Sequence, residues 1–299
     1  MAAMFDRLRR HRFVLAGFGC EYSLQPLASY LEQEGFAVVT ADMQNGPMPQ
    51  PSQELTVFVT SQHTARSSFV FHQYYGQSLP FSNHIGPLEL MQHLQPACSV
   101  FIPHDLEVPV LIEELACMGA FDIYCSPFPQ ANPSLHHACR VVPCGWIKHN
   151  HLDELPLTVK DMAGKKGVFF LNQISAVAKN GGAAAVAADY PRIFDEEIPI
   201  KLPVWPDSNA LGEELRRRGG KILTENLSST KLIAGSPHIY VNAPGSVVAE
   251  ARYLGVQALQ LKPGNNQPRT LVAGGSPQSA GLFDFPLLMK SIAEHIEVN

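Results

Sequence analysis

One segment of the 299-residue chain gathers residue types suited to holding a phosphate: Ile239-Tyr-Val-Asn-Ala-Pro-Gly-Ser-Val-Val-Ala-Glu250. An apolar run enters a turn of small residues at Asn242 to Ser246, and a helical pattern opens with Gly245-Ser246. Such a turn exposes backbone N–H groups at a helix N-terminus, where an anion accepts hydrogen bonds and meets the positive end of the dipole. Ser246 adds a hydroxyl donor, and Glu250 follows one helical turn further on the same face. The competing reading is an ordinary strand–turn–helix with serine as its N-cap.

Proton transfer near pH 7 calls for imidazole, and the chain has twelve histidines. His104, in Phe101-Ile-Pro-His-Asp-Leu106, is the first choice of base, because it ends an apolar run and has Asp105 beside it. Ligands of open α/β sheets bind beyond the carboxyl ends of strands, where such a residue belongs. His72 and His84 rank behind it as candidates. His136-His137 and His149-x-His151 have no carboxylate or cysteine partners at a spacing that completes a tetrahedral metal set, and no metal ligand is assigned. Gly17-Phe-Gly-Cys-Glu21 ends the first apolar run, placing Gly19 and Glu21 at another strand terminus, with Glu21 the second choice of base. The third glycine of a dinucleotide fingerprint is missing, which disfavours NAD. Asn172-Gln173, Pro203 to Asp207 and Asn226 to Ser229 are read as loops, with Asn172 and Ser228 as further candidate ligand contacts.

These residues need a scaffold that buries much of its chain. Apolar residues make up 45% and charged residues 16%, which suits strands covered on both faces by helices and excludes disorder. The net charge of −5 gives no global basic field for nucleic acid. Two short basic runs, Arg7 to Arg12 and Arg216 to Arg218, read as solvated faces, the first allowing at most peripheral membrane contact. All six cysteines precede residue 145, and none forms a C-x-x-C pair, so neither a zinc ribbon nor a disulfide framework is predicted. No apolar run reaches spanning length and the start has no signal-peptide core, so a soluble cytoplasmic chain is expected.

Short apolar runs alternate with helical patterns, the mark of parallel sheets wound by helices. Strands are predicted over 13–19, 36–40, 55–60, 68–72, 99–103, 121–125 and 140–143, then 167–172, 221–223, 239–242 and 257–261. Helices are predicted over 24–35, 86–95, 109–118, 246–254 and 286–296. A polar, proline-bearing stretch at His149 to Leu157 reads as a linker with a hinge near 149–160. The predicted domains are 1–152 and 153–299, with the final helix returning to the first.

The pattern strand, small turn, Gly245-Ser246, helix with Glu250, Leu254-Gly-Val256, strand resembles the nucleotide-diphosphate segment of GT-B glycosyltransferases. It is also similar to that of UDP-N-acetylglucosamine 2-epimerases and CDP-glycerol glycerophosphotransferases. Phe71-His-Gln-Tyr-Tyr-Gly-Gln-Ser-Leu-Pro80 resembles the H-G-T-P-L element of the last group, with Tyr75 where that group has its basic histidine. Val141-Val-Pro-Cys-Gly-Trp-Ile147 resembles the strand and turn that close their first domain. The resemblance implies two Rossmann-like α/β domains whose parallel sheets face a central cleft. It implies that Gly245 and Ser246 bind the donor diphosphate, that Glu250 takes the ribose hydroxyls, and that Gly19 and Glu21 face the cleft.

The expected activity is therefore metal-independent transfer of a sugar or polyol phosphate from a nucleotide-activated donor to a saccharide or other hydroxyl acceptor, in surface-polysaccharide synthesis. No separate cofactor is expected, the donor being a substrate. A nucleotide-sugar epimerase and an inactive nucleotide- or sugar-binding protein are the alternatives, the second because of Tyr75.

Overall fold

The computed structural model describes residues 2–17, 24–43, 48–61, 86–103, 106, 118–128, 139–151, 166–172, 177, 180–203, 206–223, 228–276 and 282–298. The chain divides into two compact units, Met1–His151 with Ala280–Asn299, and Leu152–Ser279.

In the first unit, β1 (His11–Gly17), β2 (Ala37–Asp42), β3 (Leu55–Thr60), β4 (Cys98–Phe101), β5 (Ile123–Cys125) and β6 (Arg140–Val142) form one sheet in the order β2-β1-β3-β4-β5-β6. Every pairing in it is parallel. Side chains alternate between faces along each strand, so β1 sends Phe13 and Leu15 one way and Val14 and Ala16 the other. The first face is covered by α1 (Ala2–Leu8) through Leu8 and by α2 (Gln25–Gln33) through Leu27 and Leu31. The other is covered by α3 (Pro87–Leu94) through Leu90 and Leu94. Glu89 accepts the Gly86 N–H at 2.7 Å, satisfying a donor at the start of α3. The C-terminal helix, here α9 (Phe285–Val298), buries Leu288, Met289 and Ile292 in the same core as α2. Strands covered on both faces must be apolar throughout, which is why β3 reads Thr-Val-Phe-Val-Thr with every one of those residues buried.

The second unit has a five-stranded sheet. β7 (Val168–Phe170), β8 (Ile200–Lys201), β9 (His238–Val241) and β10 (Gln257–Lys262) run parallel, and β11 (Asn265–Val272) adds an antiparallel edge. The order is β11-β10-β9-β7-β8. One face packs Phe169, Leu171, Ile200 and Tyr240 against α4 (Gly182–Asp189), α5 (Pro191–Asp195) and α6 (Pro206–Arg217). The other packs Val168, Phe170, Ile239 and Val241 against α7 (Ser229–Ala234) and α8 (Ser246–Tyr253). Gly167 enters β7 at φ +77°, and a Cβ there would lie 2.5 Å from the His238 carbonyl oxygen. Glycine is required at that crossing.

The predicted α/β class and parallel sheets are present in both units. Several local expectations need correction. Positions 203–207 were expected as loop, but α6 opens at Pro206, where the missing proline N–H would lack an intrahelical acceptor anyway. Ser229, also expected in a loop, begins α7. The expected linker starts inside a 3₁₀ turn, Ile147–His151, where Asn150 accepts the Phe283 N–H at 2.8 Å. Of the expected strand over 221–223, a single bridge from Ile222 to Ile200 forms. The strand over 68–72 lies outside the described residues, as does 109–117 of the helix over 109–118. Among the described residues no helix is long and apolar enough to cross a membrane. In the first basic run, Arg7 pairs with Glu297 at 2.6 Å and Arg9 with Asp6 at 2.7 Å, while Arg12 donates to the Gln50 carbonyl at 2.6 Å.

Candidate functional site

The candidate site is built at the carboxyl ends of β7 and β9 in the second unit. These neighbours are in register, with Phe170 opposite Val241. Just beyond this pair, asparagine side chains take over from the ladder. Asn242 accepts the Asn172 N–H on Oδ1 at 2.7 Å and donates from Nδ2 to the Asn172 carbonyl at 3.0 Å. Asn172 returns a hydrogen bond from its own Nδ2 to the Ala243 carbonyl at 3.2 Å. Gln260 of β10 donates to the Asn242 carbonyl at 3.3 Å. The turn leading into α8 is thereby fixed from both neighbouring strands.

Helix α8 starts at Ser246 with Gly245 as an N-cap that supplies no side-chain acceptor. Val248 N–H closes onto the Gly245 carbonyl at 2.9 Å. The N–H groups of Ser246 and Val247 precede the first residues that can find an intrahelical acceptor. With the dipole behind them, these groups form an anion site of the general helix-terminal kind. Gly245 has φ −178°, extended backbone open to any residue. A Cβ on it would meet Asn172 Nδ2 at 3.6 Å, an ordinary contact. Neither backbone conformation nor internal packing demands glycine here. What the missing side chain leaves open is the approach to the start of α8.

Among the C-terminal candidates, Asn172, Asn242, Gly245 and Ser246 are brought to this one edge. Asn242 acts on its neighbours, since both polar atoms of its side chain bind the Asn172 backbone. Glu250 is 2% exposed and accepts the Thr230 hydroxyl at 2.9 Å. Ser228 caps α7, accepting the Lys231 N–H at 3.5 Å. Thr230 and Glu250 thus join α7 to α8, while Ser228 serves the start of α7. Thr230 and Gln260 escaped the sequence reading, because their roles depend on partners that only the folded chain supplies. Lys201 also escaped it: this last residue of β8 is 3% exposed, and its signal was a lone cation inside the apolar run Ile198 to Leu202.

In the first unit, Thr60 donates from Oγ1 to the Ala16 carbonyl at 2.7 Å, tying the carboxyl ends of β1 and β3. The strand order reverses between these two, the place where open α/β sheets take ligands. Gly19, Glu21, His72, His84 and His104 lie outside the described residues, as does Tyr75. The last described residues before them are Gly17 of β1, Ser61 beyond β3, and Pro103 beyond β4.

The solved structure of Staphylococcus aureus MnaA, a co-structure with UDP, is similar to this chain at 16% identity. The match covers 96% of this chain and 88% of that one, with a TM-score of 0.51. The fold is GT-B-like. Weaker likenesses are to Neisseria meningitidis UDP-GlcNAc 2-epimerase bound to UDP-GlcNAc (11% identity, 96% and 93% covered, TM-score 0.45) and to the Streptomyces nogalater glycosyltransferase SnogD (14%, 96% and 95%, 0.43). No family model and no curated protein sequence matches the chain.

Proposed function

We propose that this GT-B-like protein is an enzyme acting on a nucleoside-diphosphate-activated sugar or polyol, and that it transfers this group to a hydroxyl acceptor. The observation that carries the proposal is the start of α8. Uncapped first-turn N–H groups, the Ser246 hydroxyl and a glycine that its own fold does not require meet at the carboxyl edge of a parallel sheet. The nucleotide in the S. aureus MnaA co-structure supports the choice of a nucleoside diphosphate over other anions.

In the proposed reaction the acceptor oxygen attacks the carbon or phosphorus bearing the donor's leaving group, and the acceptor proton passes to a base. His104 is the proposed base, ahead of Glu21 and His72, because it follows an apolar strand and has Asp105 as a neighbour. Negative charge builds on the departing nucleotide in the transition state, and α8 stabilises it with fixed dipoles that need no reorganisation. This electrostatic role is the one a divalent cation plays elsewhere, so no metal requirement is proposed for turnover. Glu250 is proposed to act by holding α8 against α7 through Thr230. A cytoplasmic location and a role in surface-polysaccharide synthesis complete the proposal.

The replacement of the H-G histidine by Tyr75 favours a second reading, a binding protein that has lost turnover. Calorimetry with UDP, CDP and GDP, followed by product analysis with the matching nucleotide sugars, separates the outcomes. Transferred product supports the proposal, an epimerised donor assigns the alternative chemistry, and binding without turnover assigns the second reading. No binding of any of the three nucleotides overturns both.

A further inference from the structure

The opposite, amino edge of the first sheet carries a group of side chains that the proposed reaction does not use. Cys98 is the first residue of β4, Asp122 immediately precedes β5, and His295 projects from α9. A ligand atom of each lies within 4.8 Å of the other two. His295 Nε2 and Asp122 Oδ1 are 3.5 Å apart. That separation is long for a hydrogen bond, for which about 2.7 to 3.2 Å is usual. It matches two ligands of one tetrahedral ion, whose donor atoms sit about 3.3 to 3.8 Å apart when bonds are about 2.0 to 2.3 Å.

We propose that Cys98, Asp122 and His295 bind a four-coordinate transition-metal dication of the zinc class, with water as the fourth ligand. A sulfur, an imidazole nitrogen and one carboxylate oxygen suit zinc or cobalt, whereas magnesium and calcium take oxygen sets. The carboxylate is oriented for the purpose. Ser99 donates both its N–H and its hydroxyl to Asp122 Oδ2 at 2.7 Å and accepts the Asp122 N–H at 3.0 Å. These bonds leave Oδ1 directed at His295, as supporting hydrogen bonds do for metal-ligating carboxylates.

The charge balance admits a cation. Arg140 is paired with Glu294 at 2.6 Å, and Lys290 lies 3.8 Å from the same carboxylate. A Cys98 thiolate and the Asp122 carboxylate together match the charge of the dication. Binding displaces the thiol proton to solvent as the sulfur–metal bond forms. Cys98 is fully buried, while the half-buried Asp122 and His295 give an ion its way in. A bound ion ties β4, the start of β5 and α9 together, which makes it a brace for the C-terminal helix.

The test titrates the chelator-treated full chain with Co²⁺ alone. One equivalent is expected to bind, with a sulfur-to-cobalt charge-transfer band and d–d absorption of four-coordinate intensity, and Zn²⁺ should displace it. Cys98→Ser should abolish the charge-transfer band. His295→Ala and Asp122→Asn should each weaken binding more than about tenfold. Cys139→Ser should leave the charge-transfer band in place, since Cys139 packs with the core on the other face of the sheet. Circular dichroism confirms the fold of each variant. If Cys98→Ser does not fold, His295→Ala carries the test, its side chain being partly exposed. Failure of the intact chain to bind Co²⁺, a charge-transfer band that survives Cys98→Ser, or affinity unmoved by His295→Ala overturns the proposal.

Discussion

Asn242 grips the backbone of Asn172 with both ends of its side-chain amide, accepting the N–H at 2.7 Å and donating to the carbonyl at 3.0 Å. The pair continues the β7–β9 ladder past the point where β9 turns toward α8. Neither strand can move at its carboxyl end without the other.

This relation sets the expectation for position 242. Asn242→Ala should destabilise the second unit by about 1 to 3 kcal/mol, because it leaves two backbone groups of a half-buried residue unpaired. Asn242→Asp should cost at least as much, since a carboxylate oxygen then faces the Asn172 carbonyl. Urea denaturation of the three proteins measures this. A loss below about 0.5 kcal/mol in both variants, the range of ordinary surface substitutions, would show that solvent replaces the bonds.

Gly245 and Ser246 separate ligand binding from stability. Gly245→Ala should leave the melting temperature nearly unchanged, because φ −178° admits alanine and its Cβ has room. Affinity for the nucleoside diphosphate should fall in the same variant, since the methyl group occupies the approach to α8. Ser246→Ala should weaken binding by about 1.5 to 3 kcal/mol, the scale of a hydrogen bond to a charged group. Calorimetry on both variants decides the matter, and affinities equal to wild type would remove the phosphate from this turn.

His238 makes the second unit sensitive to acid. Burial lowers its pKa from 6.5; a hydrogen bond to the Lys166 backbone works against this, and the Arg192 guanidinium works with it. Among the described residues, Nε2 is buried without a hydrogen-bond partner. A folded-state pKa below the unfolded one means that the unfolded chain binds the proton more readily. The stability held by neutral His238 is therefore present above pH 6.5 and lost as pH falls through the lower folded value. The urea midpoint should drop between about pH 7 and 5, and His238→Phe, which keeps a ring against Tyr240, should flatten that drop. An equally steep profile in the variant would place the acid sensitivity elsewhere.

The proposed base is tested by rate. His104→Ala should reduce turnover by about 10²-fold or more while donor affinity stays near wild type. The loss should shrink at high pH, where the acceptor hydroxyl ionises more readily. Loss of donor binding instead would identify His104 as a ligand contact, and full activity would move the base to Glu21. Turnover in excess chelator should persist while circular dichroism shows the chain folded, and restoration by manganese of activity lost without loss of fold would show that a cation, rather than α8 alone, carries the leaving group.

The elements that proved legible were those whose signal is local. A run such as Thr56-Val-Phe-Val-Thr60 is apolar at every central position because both faces of its strand are covered, and the strand spans the expected residues 55–60. The small-residue turn before Ser246 likewise announces a strand running into a helix, and α8 begins at that serine. Less legible were β8, only two residues long, and β11, whose Asn265 to Arg269 half carries no apolar run. Both owe their pairing to the strand beside them rather than to their own composition.

The sequence by itself determined the class of this protein, its parallel strands and the turn suited to an anion, because periodicity and turn chemistry act between near neighbours in the chain. Which polar groups meet was decided only by tertiary structure. Glu250 sits on α8 one turn past Ser246, and only the packing of α7 on α8 brings Thr230, twenty residues earlier, to donate its hydroxyl to that carboxylate. Cys98, Asp122 and His295 share no motif, and only the return of α9 to the first sheet brings them together. A side chain's partner depends on which surfaces are buried against each other, and that is fixed by the packing of whole elements rather than by any short stretch of residues.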